Sequence, residues 1–361
     1  MHCDAVLQMQ RGYDIAERHH AYHVDIPRLR DGGVDLVVFA TTVNSHDQTV
    51  SPFHQVNRQL DVLMHAIERN ADGLMLCLNS GDALRARESG KIGVVLAVEG
   101  GHALENNPVN LEKLHRRGVR LLTIVHEQPT GWCLGWNEKN PDVPGLTTLG
   151  REVIAEMNNL GMLVDLSHSS PATVAAACAC TLSPVVASHS CAFALCGHGR
   201  NVADAQARAI AATGGVVGVA FVSRFLSSEF DRLEREFWSR HADEEEVLMR
   251  LFVSTMDESE KTAEYERYRP LLDEQQSHAA SARPTIASVA DHIDYLVRLI
   301  GPGHVAIGSD YDGMTLPPLG LEDCAGMPNL TAELAARGFP PEHLHKILGL
   351  NFLRVFKEVC R

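Results

Sequence analysis

The chain alternates, over nearly its whole length, between short aliphatic runs and longer stretches whose apolar residues recur at helical spacing. The aliphatic runs are HCDAVL (2–7), VDLVVFA (34–40), IGVVLAV (92–98), VRLLTIV (119–125), MLVDLS (162–167), PVVAS (184–188), GVVGVAF (215–221) and HVAIGS (304–309), which predicts eight strands. Between them lie amphipathic segments at 53–70, 149–161, 202–213 and 287–301, the second closing on Gly161, a helix-ending signal. Eight strand-and-helix units predict an α/β fold, a (β/α)₈ barrel. An open doubly wound sheet would alternate in the same way, but no Gly-rich dinucleotide fingerprint follows any strand. With no Ser/Gly-rich linker, residues 1–361 are expected to form one domain. The rhythm breaks once, between the seventh and eighth predicted strands, where residues 223–283 are charged and helical. This helical insertion is expected either as a solvated hairpin outside the barrel or as a lid or dimer contact.

Two of the runs stop at the same pair of letters. VDLSH ends on His168 and VVASHS contains His189, with a capped, Pro-started, Ala-rich helix between them. A strand, helix, strand crossover makes the strands parallel, so both imidazoles belong to one carboxyl-terminal rim, where α/β folds bind ligands. Other strands add to that rim. Alternation along the first puts His2 and Asp4 on one face and sends Cys3 to packing on the other. Glu99 ends AVEGGH, where two glycines let the backbone pass close to a neighbour, and Asp310 ends IGSDYDG. Three imidazoles and two or three carboxylates exceed what a single catalytic zinc takes from protein, so two ions are expected, roughly 3.5–4 Å apart, sharing an activated water. Glu99, between the two sets of donors, is the expected bridge, and Asp310 is left as a proton carrier.

Charge and cysteines narrow the partners. A formal net charge of −14 disfavours nucleic acid and anionic membrane, and no apolar run approaches the length of a membrane span. A soluble, cytoplasmic protein is expected. Nine cysteines, without the paired spacing of a structural zinc site, read as reduced packing residues. His19, His20 and His23 form a further His-rich patch, read as bland. His102 is placed to hold a ligand's orientation, and His198 to line a pocket beside Arg200.

Taken together, His2-x-Asp4, HVDIPRLRDGGVDLVVFA (23–40), AVEGGHAL (97–104), RLLTIVH (120–126), VDLSH (164–168), ASHS (187–190), GRNV (199–202), AIAATGGVVGVAF (209–221), IGSDYDG (307–313) and GLNFLRVFKEV (349–359) resemble the renal (membrane) dipeptidase family of zinc peptidases. The resemblance implies an amidohydrolase-like barrel that cleaves dipeptides, L,D-dipeptides included, with two Zn²⁺ ions, and a homodimer. It assigns one zinc to His2, Asp4 and bridging Glu99, and the other to Glu99, His168 and His189. It also implies substrate binding by His126 and Arg200, and an acid/base role for Asp310. Manganese, iron or cobalt would suit the same donors. The rival enzyme reading is a barrel hydrolase acting on a non-peptide amide, a lactone or a phosphoester; a non-catalytic binding relative is the other. Three departures stand out: His2 leaves almost no strand ahead of it, so the first strand is cut short or begins upstream; EQPTGWCLGW replaces the family's Asn-rich residues after His126; and the insertion is long.

Overall fold

The computed structural model describes residues 1–19, 22–43, 49–138, 144–253, 258–314 and 316–361. Among these, nine strands share one sheet: β1 (His2–Cys3), β2 (Leu36–Thr42), β3 (Leu74–Leu76), β4 (Ile92–Glu99), β5 (Val119–Thr123), β6 (Leu163–Asp165), β7 (Val186–Ser190), β8 (Val216–Ala220) and β9 (Val305–Tyr311). Their order is β1-β9-β8-β7-β6-β5-β4-β2, every pairing is parallel, and β1 packs beside β2, so eight strands make a nearly closed barrel. The ninth, β3, pairs with the first residues of β4, along the edge that β5 takes over from Leu96.

Strand alternation sorts the core into two layers. Val94, Leu96, Val98, Leu122, Val164, Val217, Val219 and Val305 pack outward against the surrounding helices. The opposite phase, Val38, Ala40, Val95, Ala97, Leu121, Leu163, Val186, Val216 and Ala306, turns inward and meets Phe352, Val355, Phe356 and Val359 of the C-terminal helix Asn351–Val359. Carrying that inward phase two residues further along the strands gives Glu99, Thr123, Asp165 and Ser188. The barrel interior thus changes from apolar to polar within one layer, and that polar layer is the floor of the site.

Two sequence expectations change. HCDAVL is a strand only at His2–Cys3; Ala5–Gln10 is a helix that buries Ala5, Val6, Leu7, Gln8 and Met9. Continuous burial around one turn of helix and an apolar strand look alike in so short a run. Strand β3 has three residues, too few to show alternation. The predicted helices appear at Pro52–Arg69, Thr148–Leu160, Pro171–Cys180, Asp204–Ala212 and Ile286–Ile300, with Gly161 left-handed (φ 74°) at its helix end and Ser170 accepting from the Thr173 amide. All nine cysteines are unpaired. No helix among the described residues is long and apolar enough to cross a membrane.

The insertion is helical, with segments Ser223–Leu226, Ser228–Arg240, Ala242–Val253 and Glu258–Ala279. It is more than a solvated hairpin. Helix Ser228–Arg240 buries Phe230, Asp231, Glu234 and Phe237, and Asp231 comes within 3.8 Å of His198 Nε2 on the loop after β7. That loop is stitched from within: the Asn201 side chain donates to the Cys196 and Phe225 carbonyls (both 2.8 Å) and accepts from the Cys191 amide (3.2 Å). His292, on helix Ile286–Ile300, completes the stitch. It accepts from the Ala192 amide at Nδ1 (3.0 Å), and its ring also bonds the Leu226 backbone at the start of the insertion.

Burial lowers the His292 pKa to about 4. An unfolded chain therefore takes up this proton first as pH falls below about 6.5, and stability is lost between there and pH 4, by at most on the order of 3 kcal/mol. His292→Asn keeps an acceptor for the Ala192 amide and removes the titration. Urea unfolding at pH 7 and pH 4.5 is expected to show a smaller acid loss in the variant; an equal loss in both proteins contradicts the assignment.

Candidate metal centre

The polar layer at the barrel mouth gathers the predicted donors around one carboxylate. Glu99 Oε1 lies 3.0 Å from His168 Nε2, 3.2 Å from His189 Nε2 and 3.5 Å from His2 Nε2, and its Oε2 lies 3.7 Å from His126 Nε2. His2 Nε2 is also 3.4 Å from Asp4 Oδ1 and 3.9 Å from Asp310 Oδ1. His2, Asp4 and Glu99 form one group of mutually close donor atoms, His2, His189 and Asp310 a second, and Glu99, His126 and His168 a third. All but His126 are buried.

Local backbone features aim these side chains. Asp4 lies just past the two-residue β1, whose pairing with β9 skips from Ser309 to Tyr311. In β7 the partners run Ala187 with Val217, then Ser190 with Val219, so one extra residue bulges and turns His189 out of alternation toward the site. His168, three residues beyond β6, has a left-handed backbone (φ 64°), as do Ser309 (58°), Asp310 (71°) and Asp312 (67°). Non-glycine residues in this region concentrate where function outweighs strain. The two glycines after Glu99 have visible purposes: Gly100 takes a positive φ (115°), and a Cβ on Gly101 would sit 2.2 Å from the Ile124 carbonyl oxygen. A Cβ on Gly313 would sit 2.3 Å from Asp4 Oδ2 and 2.8 Å from Asp310 Oδ1, so only glycine leaves those carboxylates room.

The electrostatics and the donor chemistry fit divalent cations. Burial alone would lower the His2 pKa, yet Glu99, Asp4 and Asp310 drive it up to about 10. Asp4 is raised to about 7, by burial first and by Glu99 and Asp310 in addition, against the pull of His2. Burial would raise Glu99, but His126, His2, His168 and His189 hold it well below the usual carboxylate range. These groups form a field that favours added positive charge. His2 Nε2 and Asp4 Oδ1 are buried without hydrogen-bond partners, as metal-ligand atoms are.

Behind His189 runs a relay absent from the sequence expectations. Asp165 accepts from Thr123 Oγ1 and Ser188 Oγ (both 2.6 Å) and from the Ser188 (2.8 Å) and Ser167 (3.0 Å) amides. The single Ser188 hydroxyl proton points to Asp165, so toward His189 Nδ1 at 2.8 Å that oxygen only accepts. His189 therefore carries its proton on Nδ1 and turns the Nε2 lone pair to the cluster. In sequence, Asp165 and Ser188 look like ordinary strand residues.

Arg200 has the opposite character. It is 5% exposed, sits over the Phe225 ring at 5.4 Å and has no ion-pair partner among the described residues. Burial lowers its pKa; Glu127, Asp310 and Glu99 counter that most strongly. Of the other predicted histidines, His198, His102 and His23 have hydrogen-bond partners, while His19 packs its ring 4.6 Å from Tyr13. His198 Nδ1 accepts from the Arg200 amide (3.2 Å) and its ring lies 4.6 Å from Phe225. His102 Nε2 lies 3.3 Å from the Pro129 carbonyl, His23 pairs with Asp312, and His20 lies outside the described residues.

Comparison with known proteins gives this geometry a lineage. Residues 1–361 match the family model described as membrane dipeptidase (peptidase family M19). The chain is 30% identical over 347 residues to dipeptidase verJ of Clonostachys rogersoniana, covering 93% of this chain and 76% of that protein. It is 29% identical over 347 residues to dipeptidase tcpJ of Claviceps purpurea (strain 20.1), covering 94% and 70%. In fold it is similar to a metallopeptidase from Rhodobacter sphaeroides liganded with a phosphinate mimic of the dipeptide L-Ala-D-Ala (TM-score 0.78, 23% identity, 99% of this chain and 97% of that one). It is likewise similar to the probable dipeptidase PvdM from Pseudomonas aeruginosa (TM-score 0.77, 21% identity, 98% of each chain). With a match to the family model over its full length, the chain belongs to the membrane dipeptidase family, peptidase family M19.

Proposed function

We propose that the chain, acting as one catalytic domain, is a dipeptidase that works with two divalent metal ions, zinc by preference. His2, Asp4 and Glu99 hold one ion and Glu99, His168 and His189 the other. The observation that carries this reading is the convergence of three imidazole Nε2 atoms, from β1, β7 and the loop after β6, within 3.0–3.5 Å of a single Glu99 oxygen. Imidazole and carboxylate donors suit zinc. Ions held there supply Lewis acidity and lower the pKa of water toward neutrality.

The remaining residues divide the work on the peptide. Arg200, a buried guanidinium without a counter-ion among the described residues, grips the substrate's terminal carboxylate; burying such a cation is costly until an anion pairs with it, which favours peptides that end within its reach. His126 is pushed down to about 4, by burial first, so it stays neutral at pH 7 and hydrogen-bonds the scissile carbonyl without adding a charge to the site. Burial raises the Asp310 pKa, opposed chiefly by His2, so this carboxyl holds a proton more readily than an exposed aspartate. It takes a proton from the attacking water and passes it to the departing amine. The insertion braces the loop that carries Arg200 through the Asn201 bond to the Phe225 carbonyl and through Ser228 Oγ, which donates to Cys196 Sγ (3.5 Å). Dipeptidase names among the relatives support peptide substrates over the lactone and phosphoester alternatives.

Three results are expected. On L,L and L,D dipeptides beside a lactone and a phosphoester, metal-replete protein cleaves the dipeptides, and Asp310→Asn loses roughly 10²–10⁴-fold in kcat; a variant as active as the parent removes Asp310 from the mechanism. Arg200→Met raises KM about 10- to 100-fold for free dipeptides and removes the preference over their C-terminal amides; an unchanged preference places the carboxylate elsewhere. Ser188→Ala takes away the acceptor behind His189 and weakens zinc binding by about 10- to 100-fold in chelator competition; unaltered affinity contradicts the relay.

A further inference from the structure

An imidazole that offers Nε2 to a metal has to keep its proton on Nδ1, and that proton needs an acceptor if the ring is to stay in place. His189 has one in Ser188, backed by Asp165. His168 has no such buried partner: its Nδ1 is itself buried and makes no hydrogen bond among the described residues. The acceptor facing it is a carboxylate, Glu127 Oε1, at 3.4 Å.

This approach is built into the loop. Residues 126–137 leave β5 and return to fasten onto the turn that carries His168. The Trp136 amide donates to the His168 carbonyl (2.7 Å), the Ser170 amide donates to the Leu134 carbonyl (3.0 Å), and Gly135 bridges Ser169. The loop is closed at its base by Asn137 Nδ2, which donates to the Glu127 carbonyl (3.0 Å). His168, left-handed at φ 64°, is held from the other side by the Ser169 amide donating to Leu166 (3.1 Å). Both ends of the contact are thus fixed by backbone bonds, while the Glu127 side chain stays 46% exposed.

We propose that Glu127 is a positioning residue for the metal centre: its carboxylate accepts the Nδ1 proton of His168, fixes the tautomer that presents Nε2 to the ion, and places a negative charge behind that ring. This rests on the reading of His168 as a ligand. The two imidazoles of the second ion are then supported unequally, one through a neutral hydroxyl in the barrel floor and the other by a charged side chain at the mouth. Because Glu127 is half exposed, water screens it and its effect is moderate.

Zinc-loaded wild type, Glu127→Gln and Glu127→Leu are titrated with a chromophoric chelator, which reads the two zinc-release constants without any peptide present. Glutamine keeps an acceptor but no charge; leucine keeps neither. One of the two zinc affinities is expected to fall in the order Glu, Gln, Leu, with leucine about 10- to 100-fold weaker than wild type and glutamine between them, while the other moves less. A packing role does not produce that order, since glutamine matches glutamate in size. Leucine within roughly twofold of wild type overturns the proposal, as does glutamine weaker than leucine. Wild-type protein that retains no zinc overturns it together with the ligand assignment. A chain that keeps this order yet cleaves no dipeptide leaves Glu127 in place and removes only the substrate reading.

Discussion

Like charges crowd the mouth of this barrel, and the rest of the site is arranged around their mutual repulsion. Asp4, Glu99 and Asp310 are all buried, and all lie within 4 Å of the same His2 nitrogen. Carboxylates taken out of water are unstable unless positive charge joins them. The driven-up pKa of His2 and the raised Asp4 are two signs of the same demand. Left-handed backbone at His168, Ser309, Asp310 and Asp312 places strain, of order 1–3 kcal/mol per residue, on the same rim. A barrel with two full apolar layers beneath it can hold such a rim.

Support for the donors comes from different depths. Asp165, fully buried and accepting from four donors, belongs to the barrel floor and orders Thr123, Ser167, Ser188 and His189 at once. On the opposite side, the loops after β5, β7 and β8 lean on one another: Trp136 packs near His198, His198 against Phe225, and Phe225 under Arg200. The insertion reaches this group through Asp231. On the proposed function, rigid floor and loop-built walls separate two tasks, holding ions and choosing substrates, as is common in barrels of this kind.

Much of this was legible in the chain. Parallel strands ending in His168 and His189 followed from a strand-helix-strand pattern, and Glu99 and Asp310 from apolar runs that stop on an acid. His2 and Asp4 come together although Asp4 lies outside the strand, because the turn into helix Ala5–Gln10 brings Asp4 Oδ1 within 3.4 Å of His2 Nε2. What escaped notice depends on partners distant in sequence. Asp165 is one acid in an aliphatic run until Ser188 and Thr123 fold onto it, and Glu127 is a loop residue until Trp136 pins that loop to His168. Strand β3 is too short to carry a period, and bulges such as the one at His189 shift a side chain by a register that no hydrophobic pattern records.

The central claim, that five side chains from four places in the barrel hold a pair of ions around Glu99, is tested most directly by anomalous diffraction at the zinc edge from crystals of the zinc-loaded protein. Two anomalous peaks roughly 3.5–4 Å apart, one beside His2 and Asp4, the other beside His168 and His189, with Glu99 between them, are the expected result. A single peak, or peaks away from Glu99, would contradict the account.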